Sequence, residues 1–112
     1  MKIVDLKTFL SYPSGILFAE YDPYIIRKLE IRGRAHPDET PNGGWYQHFS
    51  LLDTEKEIAT IGTIDEPISL VHDEYSRNGP GIDPNQLFAV FDKKDVSDII
   101  ERLQRVHAET KE

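Results

Sequence analysis

The chain has no cysteine among its 112 residues, and its longest apolar runs are only four or five residues. The first absence excludes disulfides, thiolate metal sites and a cysteine nucleophile. The second excludes a membrane-spanning helix, which needs about 20 predominantly apolar residues. Met1–Pro13 carries Lys2 and Lys7, but Asp5 interrupts it and no apolar stretch follows, so it does not read as a secretion signal. A soluble cytoplasmic protein, with no membrane contact, is the expectation.

Catalytic signatures are missing as well. No serine sits in a G-x-S-x-G elbow. Neither Ser14-Gly15 nor Asn78-Gly79-Pro80-Gly81 leads into the Lys-Ser/Thr of a phosphate-cradling loop. His36, His48, His72 and His107 are scattered, without the local spacing that converges ligands on a metal. The carboxylate pairs Asp38/Glu39, Asp65/Glu66 and Asp73/Glu74 fall at loop edges, and adjacency in sequence does not make a cleft. The sequence therefore predicts no enzyme, no cofactor and no metal site.

Basic charge is also absent, but from one part of the chain only. Residues 38–92 hold eleven acids against Lys56 and Arg77, a net of −9. Residues 1–37 are mildly basic at +2, residues 93–112 balance, and the whole chain carries −7. Such segregation suits electrostatic complementarity with a partner. It disfavours nucleic acid and anionic membranes, whose phosphates repel an acidic surface.

What is present reads as one domain, 1–112, with enough aromatic and β-branched residues for one modest core. Asp5 reads as the N-cap of a short helix with Leu6, Phe9 and Leu10 on one face, and Val4 with Phe9 forms a hydrophobic staple. Pro13-Ser14-Gly15 turns the chain into a strand over Ile16–Tyr21. From Ile25 to Arg34 the pattern alternates, with Leu29 and Ile31 inward and Lys28, Glu30, Arg32 and Arg34 outward. His36–Gly44 is a loop. Trp45–Leu52 reads as a strand with Trp45, Gln47, Phe49 and Leu51 on one face. Ile58–Ile64 reads as its hairpin return, and Ile68–His72 as a further short strand. Asp73–Gln86 reads as a long irregular loop. Leu87–Phe91 is a core strand that runs into a helix capped by Asp92, whose buried stripe is Val96, Ile99, Ile100, Leu103 and Val106. The pairs Asp98–Arg102 and Glu101–Arg105 support that helix at i, i+4. The expected fold class is α+β. It has a mostly antiparallel sheet of four to six strands, a short N-terminal helix and a C-terminal amphipathic helix packed on the sheet.

Two stretches carry a resemblance. Asp5–Leu10 followed by Pro13-Ser14-Gly15 and Ile16-Leu17-Phe18, and later Gln86–Val96, resemble the opening and the strand-into-helix ending of small proteins encoded by phages and prophages. The matching residues are mostly fold-forming, so no functional residue carries over. The resemblance implies a context of accessory proteins that act by binding host proteins.

Three functions compete. The first is a small acidic protein-binding or inhibitor protein, of anti-restriction, anti-CRISPR or immunity type, acting on a protein with a basic surface. Its contact residues are Asp53, Glu55, Glu57, Asp65, Glu66, Asp73, Glu74, Tyr75 and Arg77, on a turn and loops that can gather at one end of the sheet. The second is a nucleic-acid-binding module using the basic stripe Arg27, Lys28, Arg32 and Arg34, against which Glu30 inside the stripe argues. The third is a small enzyme, which requires a pocket with converging polar groups.

Overall fold

Asp5 and Asp92 begin the two helices of the described residues, and both do so by the same local chemistry. A computed structural model of the chain describes residues 1–36, 44–52 and 82–111, together with the backbone of 76–78. Strand β1 (Lys2–Val4) leads into helix α1 (Leu6–Ser11), where the Asp5 carboxylate accepts from the Thr8 amide at 2.9 Å. Gly15, at φ +95°, makes the turn that a side chain would strain. Strand β2 (Leu17–Asp22) follows, then a short β3 (Ile25–Ile26), β4 (Glu30–His36), β5 (Trp45–Ser50), β6 (Ser76–Asn78) and β7 (Leu87–Phe91). The chain ends in helix α2 (Lys93–Glu109). At its start Asp92 accepts from the Asp95 amide and Asp95 accepts from the Asp92 amide, a reciprocal capping box.

The strands run in the order β1-β7-β2-β4-β5-β6, and β3 folds back on β2. Every pairing is antiparallel, as the α+β reading requires. Strand β7 therefore sits between β1 and β2, although more than sixty residues separate it from either. Strand β1 was not legible in the sequence, because three residues carry no period. Strand β6 lies within the stretch expected to be irregular. The strands expected over 58–64 and 68–72 lie outside the described residues.

One face of the sheet carries the core. Phe18, Phe88 and Val90 lie on it, and α1 drops Leu6, Phe9 and Leu10 onto them, with Tyr46 closing the far side. The Phe9 ring stacks on Phe88 with centroids 4.0 Å apart and meets Phe18 at 4.7 Å and Tyr46 edge-on at 5.1 Å. Aromatic contacts of this kind add to the area term.

Two packing expectations need correction. Arg32, read as part of an outward charged face, is buried, and so is Glu30. Between Arg32 and Ala35 the pairing with β5 slips by one residue, a bulge at Gly33-Arg34 that breaks simple alternation. On β5 Trp45, Gln47 and Phe49 share one face, as expected, and it is the face opposite the core, which Tyr46 meets. Finally, α2 does not bury its stripe: none of its residues is buried, and only Asp95, Val96 and Ile99 are half-buried. Within it Glu101 pairs with Arg105 at 2.9 Å, whereas Asp98 pairs with Lys94 at 3.7 Å rather than with Arg102.

Candidate functional site

Period two places Glu20 and Glu30 on the core side of β2 and β4, beyond the end of the aromatic cluster. The register sets Phe18 opposite Glu30 and Phe88 opposite Glu20, which fixes all of them to one face. His48 joins them from β5, two residues along from Tyr46. Its Nδ1 lies 2.7 Å from Glu30 Oε1. With its proton on Nδ1, the imidazole donates to a carboxylate that is itself buried.

These three residues line an open groove of about 540 Å³ with Arg27 and Lys28. Arg27 is drawn to the rim by Asp22, whose Oδ2 accepts from both Nε and an Nη at 2.8 Å. The β2–β3 turn holds the outer lip. Tyr24 at its tip is 98% exposed with φ 70°, a left-handed conformation that costs a bulky residue strain. Ile25 and Ile26 beside it are half-exposed.

Burial raises the Glu20 carboxyl pKa above its ordinary value, and the charges of Glu30 and Asp22 push it the same way. A carboxyl whose folded pKa is raised stabilises the fold below its unfolded pKa, and that contribution is lost as pH rises through the folded value. Glu20→Gln should therefore raise the melting temperature at pH 7. The gain should vanish below about pH 4, where the native carboxyl is already neutral. Thermal melts of parent and variant across pH 3–8 measure this, and parallel curves at every pH would disprove it.

A carboxylate-oriented imidazole is the base-and-orienter half of a hydrolytic triad. The described lining residues include no hydroxyl or thiol to serve as nucleophile. No group of three potential ligands able to hold a metal occurs among the described residues. Beside the Glu30–His48 pair the groove offers a second carboxylate, Glu20, and two cations, Arg27 and Lys28.

The residues singled out from sequence fare unequally. Asp53, Glu55, Glu57, Asp65, Glu66, Asp73, Glu74 and Tyr75 lie outside the described residues, and Arg77 is described only as backbone of β6. Of the basic stripe, Arg34 is exposed, Arg27 is paired with Asp22, and Lys28 lines the groove with Glu20 and Glu30. Arg32 is 1% exposed and belongs to the core. His48 and Glu30 were missed as a pair because 18 residues separate them. The one available signal was a polar histidine inside a strand facing an acid inside a basic stretch.

No helix among the described residues is long and apolar enough to cross a membrane. Comparison of the chain with protein-family models, curated proteins and solved structures gives no match.

Proposed function

We propose that the protein is a small acidic binding protein, an accessory or inhibitor of a protein with a basic surface, and that it works in the cytoplasm. The observation that carries this reading over its nucleic-acid rival is the burial of Arg32. With that residue in the core and Arg27 tied to Asp22, the stretch 27–34 supplies no continuous row of cations for phosphates. The net charge of −7, concentrated in 38–92, then acts without a basic counter-surface in that stretch. The resemblance to phage-encoded accessory proteins supports the same role. The acidic set Asp53, Glu55, Glu57, Asp65, Glu66, Asp73 and Glu74, with Tyr75 and Arg77, is the proposed contact surface.

The test has two arms. A gel shift with DNA and RNA at low salt should show no complex, and a salt-sensitive shift would favour the nucleic-acid reading. Affinity purification from the native host should recover a basic protein. Changing Asp65, Glu66, Asp73 and Glu74 together to Asn or Gln should slow its association and flatten the salt dependence. Capture that is unchanged in this quadruple variant would remove the acidic set from the interface.

A further inference from the structure

Helix α2 is the longest element among the described residues, yet it buries none of its own. Val96, Ile99, Leu103 and Val106 recur at alternating spacings of three and four, the a and d positions of two heptads, with Ile100 alongside. Ile100, Leu103 and Val106 are 49%, 60% and 59% exposed. From Ile100 onward every described residue of the helix is exposed, so its outer three turns stand clear of the sheet. A helix of this length gains little from its backbone alone, and an apolar seam left in water is stabilised by being covered.

The charges beside the seam say what covers it. At 100° per residue, Asp95 and Asp98 lie on one flank toward the N-terminus, and Arg102 and Arg105 lie on the same flank toward the C-terminus. Arg102 has no ion-pair partner among the described residues, and Asp98 reaches only Lys94, at 3.7 Å. Side by side in the same direction, the charged flank of each helix would face the other flank of its partner, where Ser97, Ile100 and Gln104 offer no charge to pair with. Turned end for end, each acidic half meets the other's basic half, and the helix macrodipoles oppose favourably. When Val96 meets Val106 and Ile99 meets Leu103 of the second copy, Asp98 falls opposite Arg105.

We infer that α2 is a self-association surface, on which a second copy of this chain docks its own α2 antiparallel. One helix face is smaller than the roughly 800 Å² per partner of a standard interface, which suits a weak dimer with a dissociation constant on the order of micromolar. This inference does not depend on the acidic set in 53–74, because the quadruple variant leaves α2 untouched.

Sedimentation equilibrium from about 1 µM to about 500 µM brackets a micromolar Kd. The mass should rise from that of one chain to that of two. A single-chain mass throughout would overturn the proposal. Leu103→Asp should stay monomeric with an unchanged far-UV spectrum, and a dimer that survives this change places the contact elsewhere. Asp98→Arg alone and Arg102→Glu/Arg105→Glu alone should each be monomeric, and their mixture should dimerise. Orientation is read from Lys93→Cys and Glu109→Cys, introduced singly into a chain that has no cysteine. Oxidation should cross-link the mixture of the two far faster than either alone. Faster cross-linking of each with itself would mean a parallel pair and overturn the antiparallel assignment.

Discussion

Arg32→Met should lower the melting temperature by roughly 10–20 °C, the largest effect expected of any single polar substitution in this domain. The Arg32 guanidinium donates to the carbonyl of Phe9 at 2.6 Å and to that of Tyr12. Those carbonyls belong to the last turn of α1 and its C-cap, so a buried cation satisfies the exposed acceptors of a helix end and meets its negative pole. Its CZ also sits 5.4 Å from the Phe9 ring centroid, a cation–π contact. No carboxylate pairs with it among the described residues, and burial draws its pKa below the ordinary guanidinium value while leaving it charged. Methionine fills much of the volume but leaves the Tyr12 carbonyl without its donor and the Phe9 carbonyl with only the 3.3 Å bond from the Tyr12 amide; with the cation–π contact also lost, the cost is about 3 kcal/mol. Arg32→Lys keeps the charge but loses the planar fork that reaches two acceptors, so it should fall about midway. Urea unfolding of the three proteins orders them. Equal midpoints for Arg32 and Met would show that the carbonyls find other donors.

Phe9→Ala should cost about 3–5 kcal/mol, enough to unfold the chain near 37 °C if its total stability is typical of small domains. Phe9 is fully buried and makes the shortest ring contacts of the four-ring cluster, at 4.7 Å to Phe18, 5.1 Å to Tyr46 and 4.0 Å to Phe88. Removing it leaves a cavity bounded by three other rings, and α1 is too short to collapse into it without giving up its cap. Phe9→Leu should cost much less, because most of the volume survives. The Phe9 and Arg32 effects should also fail to add. Both substitutions detach α1 from the sheet, so the double variant should be less destabilised than the sum of the singles. Additive losses would mean that the helix end and the aromatic cluster are independent units.

Legibility followed how local each cause was. Asp5 and Asp92 cap their helices through residues three positions away, and Leu87–Phe91 is apolar throughout, so these elements could be read directly. The α+β class followed from them. Arg32 could not be read, because what makes its burial tolerable lies 20 and 23 residues earlier in the backbone of α1. Period two assigned it to a face correctly relative to Glu30, but the wrong face was taken as solvated. The slip at Gly33-Arg34 then changes the parity of β4, leaving Arg34 exposed and bringing Ala35 opposite Tyr46. The amphipathic pattern of α2 was real, but periodicity reports an apolar seam without saying whether the cover is its own sheet. The groove depends wholly on cross-strand register, which a single strand does not reveal.

The position of β7 governs the order of events during folding. Its two neighbours, β1 and β2, lie at the opposite end of the chain. Neither β1 nor the aromatic cluster around Phe88 can be completed until residues 87–91 arrive. A nascent chain must therefore hold Phe9, Phe18 and Tyr46 without their central partner through most of its synthesis. The loop that finally closes is long, its entropy is met only when the last strand inserts, and refolding should run on the millisecond-to-second scale of non-local β topologies.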